Sequence, residues 1–163
     1  MKSFFFRLPP RVTCVKDGSN ILLLGPLGRV VVKCKSNFVQ VSGTLAFSKP
    51  LNSQELCCLK QGLYGISLSY VLILVLHGVG YKVDKVDNTI VLKLGYSHMH
   101  FIPIPEVINI KCIKNEIHMR SSHLVRLNYF ASSLRKLRFP DSYKGRGVLY
   151  KNELIRVKEG KKT

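Results

Sequence analysis

Residues 52–66 read NSQELCCLKQGLYGI. Leu56, Leu59, Leu63 and Ile66 fall at spacings of 3, 4 and 3, which puts them on one face of a helix. Asn52, with Glu55 three residues on, fits a capping box that starts it. Gly62 and Gly65 lower its intrinsic helicity and suggest a short or close-packed helix. The same spacing returns at Leu124, Leu127, Ala131 and Leu134, 68 residues later. A second helix is therefore expected, beginning near Ser121 or Ser122.

The segments around the two helices also match. Before the first, branched residues alternate with turn formers: Val12, Cys14 and Lys16, an Asp17-Gly18-Ser19-Asn20 turn, Ile21 to Leu24, Gly25-Pro26-Leu27-Gly28, then Val30 to Val32. A further hairpin is expected around Ser42-Gly43, and Lys49-Pro50 closes the section. In the second half Asp87-Asn88-Thr89 is a turn, Ile90 to Leu94 a strand, and Phe101-Ile102 begins another. At a shift of 70, Asp87 lies over Asp17, Val91 over Ile21 and Gly95 over Gly25. Ile110 to Ile113 and Glu116 to Met119 form a hairpin through Lys114-Asn115. Tyr70 to Leu76 is the longest apolar run, sized for one buried strand. Two matching halves argue for an internal duplication. The predicted fold is α+β: two tandem similar domains, 1–68 and 69–163, each a small antiparallel sheet with a helix on one face, plus a basic C-terminal tail over 135–163.

Charge is lopsided. Twenty-six Lys and Arg oppose nine Asp and Glu, a formal +17. Such an excess attracts nucleic acid or an anionic membrane. No stretch reaches the roughly 18 uninterrupted apolar residues of a spanning helix, so nucleic acid is the better partner. Five cysteines include no Cys-x-x-Cys pair, which reads as free, semi-buried thiols in a reducing compartment. The start, Met1 to Arg7, is too short in its apolar core for a secretory signal, and Pro9-Pro10 ends it.

The tail reads RKLRFPDSYKGRGVLYKNELIRVKEGKKT from Arg135 and holds ten Lys or Arg against three acids. Pro140-Asp141-Ser142 is a turn, Gly145 and Gly147 flank Arg146, and Tyr143 and Tyr150 sit among the cations. Val148-Leu149-Tyr150 and Leu154-Ile155-Arg156-Val157 give it apolar residues to pack with. Glycines let a backbone approach phosphates, and aromatics stack on splayed bases. Arg135, Lys136 and Arg138 at the end of the second helix complement its dipole and extend the same basic surface. These features favour a shaped RNA-binding loop over a solvated charge run.

No catalytic constellation is evident. His98 and His100 would share a strand face and could ligate a metal, yet no further Cys or His stands at a finger-like spacing. Turn or surface histidines are the preferred reading. Gly78-Val79-Gly80 lacks the third glycine of a dinucleotide loop, and Gly145-Arg146-Gly147 lacks the Lys-Ser or Lys-Thr of a P-loop. No cofactor is expected. An RNA-processing or RNA-modifying enzyme that docks through the tail is the alternative, and a free-standing DNA-binding module is a third reading.

The tail from Pro140 to Gly147, continuing from Tyr150 to Lys162, resembles the end of the L-six family of large-subunit ribosomal proteins. Gly78-Val79-Gly80-Tyr81, Leu94-Gly95-Tyr96-Ser97-His98 and Ile102-Pro103-Ile104-Pro105-Glu106 resemble further motifs of that family, in order. The resemblance implies two similar α+β domains and no catalysis. It implies binding to large-subunit ribosomal RNA (rRNA), mainly through the C-terminal domain and tail, near the sarcin–ricin loop and the factor-binding region. Neighbouring large-subunit proteins are expected partners, with translation factors working nearby, no membrane and no homo-oligomer. Carried onto this chain, the implied RNA contacts are Tyr143, Lys144, Gly145, Arg146, Gly147, Arg156, Lys158, Lys161 and Lys162, beside Arg135, Lys136 and Arg138. The chain departs from the family at Ser142, where proline is usual, and most strongly in the first half, at Cys57-Cys58-Leu59 and Tyr64. Richness in Phe, Leu, Ile and Cys suggests an organellar version, in the mitochondrial matrix within its ribosome. Another organellar or a bacterial ribosome is the alternative.

Overall fold

The computed structural model describes residues 4–18, 20–34, 38–41, 44–47 and 52–160. Thirteen strands and two helices alternate along these residues: β1 Phe4–Arg7, β2 Thr13–Asp17, β3 Asn20–Gly25, β4 Gly28–Lys33, β5 Phe38–Val41, β6 Thr44–Phe47, α1 Ser53–Ser67, β7 Tyr70–His77, β8 Lys82–Val86, β9 Thr89–Lys93, β10 His100–Pro103, β11 Asn109–Ile113, β12 Glu116–Ser121, α2 Leu124–Leu137 and β13 Gly147–Tyr150. They build small sheets ordered β1-β6-β5, β2-β3-β4, β10-β9-β8 and β11-β12-β7-β13. The α+β class expected from the sequence is the class observed. The expected turn residues Ser42-Gly43 and Lys49-Pro50 lie outside the described residues.

Contacts divide the chain into Met1–Tyr70 with Ser121–Leu124, and Val71–Arg120 with Val125–Thr163. In the first unit Leu23, Leu45, Leu59 and Ile66 are fully buried. Leu59, Leu63 and Ile66 form the buried face of α1, as their spacing predicts, and Leu56 is half-buried. The Asn52 amide donates to the Glu55 carboxylate at 3.3 Å, one half of the expected capping box. Two glycines cost the helix about 1 kcal/mol each, but each buried aliphatic side chain returns about 1.5–3 kcal/mol, so packing wins. Those glycines are where the packing is tightest. A methyl at Gly62 would stand 2.8 Å from Leu23 Cδ1, and one at Gly65 would overlap the Ser122 carbonyl oxygen. Ser69, at φ +62°, takes the left-handed position that ends α1, and its amide donates to the Gly65 carbonyl at 3.1 Å.

The second unit repeats the plan. β8 has the burial pattern of β2, one inward residue then solvent, with Val83 in the place of Cys14. The strand pairings set the repeat at a shift of 69, because Asp17 pairs with Asn20 as Val86 pairs with Thr89. The shift of 70 read by setting Asp87 over Asp17 is therefore corrected by one residue. Gly18 at φ +55° and Asp87 at φ +49° occupy the same left-handed turn position, so Asp87 stands over Gly18 and not over Asp17. A one-residue slip in a strand would exchange its buried and exposed faces. The helices keep the expected shift of 68: Leu127, Ala131 and Leu134 are buried as Leu59, Leu63 and Ile66 are, and Leu124 is half-buried like Leu56. α2 starts at Leu124, a little later than expected, after the Ser121 hydroxyl accepts from the His123 amide at 3.1 Å. The expected tail begins inside α2 at Arg135 and contributes β13, which pairs antiparallel with β7 from Gly147 opposite His77 to Tyr150 opposite Leu74. The segment thus supplies the last residues of α2 and an edge strand of the second unit's sheet.

Candidate nucleic-acid interface

Residues 138–146 form a closed loop between α2 and β13. Asp141 organises it. Its carboxylate accepts from the amides of Tyr143 at 3.2 Å and Lys144 at 3.3 Å. Its own amide donates to the Arg146 carbonyl at 2.9 Å, and its carbonyl accepts from the Gly145 amide at 2.9 Å. The Val148 amide closes the base of the loop on the Arg138 carbonyl at 3.0 Å. Gly147 is required here because a Cβ would stand 2.6 Å from Pro140 Cα. Gly145, at φ +63°, makes the reversal with open space around it.

This scaffold turns side chains outward. Tyr143, Lys144 and Arg146 are exposed, as are Lys136, Arg156 and Lys158, while Arg138 and Gly145 are half-buried. Beyond β13 the chain turns through Glu153, whose amide and carboxylate both bond to Tyr150 backbone. It then returns alongside the loop, the Lys158 amide donating to the Ser142 carbonyl at 2.8 Å. Lys144, Arg146 and Lys158 are therefore carried by adjoining backbone. Arg135 acts differently. Its guanidinium pairs with Glu153 and lies 5.3 Å from the Tyr150 ring centroid, tying the final segment to α2. Lys161 and Lys162 lie outside the described residues.

Among the described residues, Lys136, Arg138, Lys144, Arg146, Arg156 and Lys158 take part in no ion pair, whereas Lys151 and Arg135 each have a glutamate. The only acid inside the loop, Asp141, is engaged by amides. Cations free of ion pairs on a hydrogen-bonded backbone suit a polyanion of defined shape.

Aromatic groups to which the sequence reading assigned no RNA contact lie beside Arg138. The Tyr96 hydroxyl donates to the Leu137 carbonyl at 3.0 Å, and the Arg138 guanidinium lies 4.7 Å from the Tyr96 ring centroid. His100 meets Tyr96 edge-on at 5.3 Å, and His98 meets His100 at 4.7 Å. Tyr81 is buried between two loops, its ring lying where a methyl on Gly78 or Gly95 would have to go. The sequence signal was the alternation of Tyr96, His98 and His100. Their meeting with Arg138 depends on the fold.

Catalytic signs are weak. Burial pushes the Cys14 thiol up to about 11 and raises that of Cys112, the opposite of an activated nucleophile. Cys34 is also buried, but Cys57 and Cys58 are exposed, a departure from the expected semi-buried state. Among the described residues no three His, Cys, Asp or Glu side chains gather as metal ligands, and no helix is long and apolar enough to cross a membrane.

Comparison with known proteins agrees with this geometry. Residues 77–151 match the family described as Ribosomal protein L6. The large ribosomal subunit protein uL6 of Lactobacillus helveticus is 33% identical over 163 residues, covering 94% of this chain and 93% of that protein. The uL6c protein of Trieres chinensis is 32% identical, covering 95% and 93%, and uL6 of Staphylococcus aureus (strain JH9) is 31% identical, covering 94% and 93%. Likeness of this extent, running through both repeats and the organised loop, shows that the chain belongs to the ribosomal protein L6 family.

Proposed function

We propose that the chain is a structural constituent of the large ribosomal subunit, bound to large-subunit rRNA through its second repeat and without catalytic function. The observation that carries this reading is the ordered loop between α2 and β13, which holds cations free of ion pairs beside the returning segment 154–160. Lys136, Arg138, Lys144, Arg146, Arg156 and Lys158 would contact phosphates, joined by Lys161 and Lys162. Tyr143 would stack, and Gly145 and Gly147 would let RNA backbone approach. Arg135 adds charge to the same region while holding Glu153.

The finer reading puts this contact near the sarcin–ricin loop and the factor-binding region, with other large-subunit proteins adjacent and the chain present as a single copy. The domains would divide at residues 68 and 69. Composition supports a mitochondrial ribosome as its setting, which fractionation of mitochondria with a tagged copy would test. Hydroxyl-radical footprinting of large-subunit rRNA with and without the chain tests the site. Protection concentrated at the sarcin–ricin loop and its neighbouring helices is the expected result. Protection elsewhere, or none, contradicts it.

A further inference from the structure

The two repeats differ at one place in a way that packing does not require. In the first, β3 and β4 are joined by only Pro26 and Leu27. In the second, residues 94–99 join β9 to β10 and bring in Tyr96 and His98. His100 pairs across the sheet with Leu92, the register that Val30 holds opposite Leu23 in the first repeat. Val30 is a buried apolar residue. His100 instead places a buried Nε2 there with no hydrogen-bond partner. A polar ring at this position packs less favourably than the apolar Val30 of the first repeat. The last turn of α1 has no basic residue, whereas that of α2 has Arg135 and Lys136 and is followed by Arg138.

The added groups are planar and lie together. The Tyr96 ring is fixed by its bond to the Leu137 carbonyl and by Arg138, yet 42% of the residue remains exposed. His98 is exposed and nearly parallel to Tyr96, with 25° between planes and 6.2 Å between centroids. Rings held in place with open surface, beside a guanidinium free of any ion pair, are what an unstacked base needs. A duplex backbone needs only the charge.

We propose that Tyr96, His98, His100 and Arg138 form a platform that captures one unpaired RNA base. This rests on the RNA-binding reading above and adds that the bound RNA presents a bulged or flipped nucleotide to the second repeat. The exposed rings of Tyr96 and His98 stack on the base, His100 supports them from behind, and Arg138 holds the Tyr96 ring.

The test uses the full chain and two RNA hairpins of otherwise identical sequence, one fully paired and one with a single bulged 2-aminopurine, titrated at several salt concentrations. The bulged hairpin is expected to bind about tenfold more tightly, with its fluorescence quenched on binding. His98→Ala, a surface change, and Tyr96→Ala should remove the advantage and the quenching while leaving the salt slope unchanged. Tyr96→Phe, which keeps the ring against Arg138 but loses the bond to Leu137, should retain most of both. Equal binding of the two hairpins, with a normal salt slope and no effect of His98→Ala, would overturn the platform, leave the RNA-binding reading intact and assign the patch to a protein neighbour. Failure to bind either hairpin at low salt would overturn the RNA-binding reading itself and the platform with it.

Discussion

The backbone amide of Lys144 donates to the carboxylate of Asp141 at 3.3 Å, so the acid inside the basic loop holds backbone and forms no ion pair with the loop's cations. Asp141→Ala removes the acceptor for both Tyr143 and Lys144 and should cost about 1 kcal/mol of stability. RNA affinity should fall several-fold through lost order. The salt dependence of binding should not change, because no phosphate contact is removed. Asp141→Asn, which keeps one carbonyl acceptor, should lie between. Filter binding across a salt series reads all three, and a changed slope for Asp141→Ala would contradict the scaffold role.

Gly147 and Pro140 make the base of that loop. Gly147→Ala sets a methyl against Pro140 backbone, which cannot rotate away as a side chain would. The loss should be roughly 2 kcal/mol or more, read from urea unfolding. Gly145→Ala meets open space and suffers only the cost of its positive φ, about 1 kcal/mol. Equal effects at the two positions would contradict the assignment.

Arg135 and Glu153 are each about a quarter exposed, with side-chain accessibilities of 28% and 24%. Partial burial places their coupling at about 1 kcal/mol, near the upper end for surface pairs. A double-mutant cycle with Arg135→Ala and Glu153→Ala measures it. A coupling indistinguishable from zero would mean that the final segment is not held by this pair.

Cys14 reports on the first repeat. Burial raises its thiol from the ordinary 9.0 to about 11. The folded state therefore keeps its full advantage below the unfolded thiol's value and loses it as the pH rises toward about 11. Urea midpoints should fall between pH 8 and pH 10.5, and less so for Cys14→Ala. At pH 8, iodoacetamide should label exposed Cys57 and Cys58 well before buried Cys14 and Cys34. Equally fast labelling of Cys14 would contradict its burial.

The repeat was legible where side-chain chemistry tracks geometry. Leu59, Leu63 and Ile66 recur as Leu127, Ala131 and Leu134 because burial on a helix follows its period. The turns were read one residue out because Asp17 and Asp87 share a name. Position 87 instead shares a backbone state with Gly18, and aspartate tolerates the left-handed region better than most residues. β13 was hidden inside the tail: it has four residues flanked by cations, and its partner β7 lies about seventy residues earlier. The platform was hidden for a similar reason. Tyr96 and Arg138 are far apart in sequence, and only the fold brings them to 4.7 Å.

Charge in the loop admits its own control. Lys144→Ala and Arg146→Ala should each flatten the log–log salt dependence of RNA binding by about 0.7 to 0.9. Lys151→Ala should do less, since its ammonium is already 3.4 Å from Glu116. Equal slopes for all three would remove Lys144 and Arg146 from the interface.

Sedimentation of a tagged copy through a sucrose gradient of cell or organelle lysate, after a wash at about half-molar salt, tests the central claim most directly. Charges screened at that ionic strength no longer hold a loosely bound protein, whereas an integrated one has many further contacts. Co-migration with the large ribosomal subunit that survives the wash is the predicted result. Recovery only in the light fractions would contradict it.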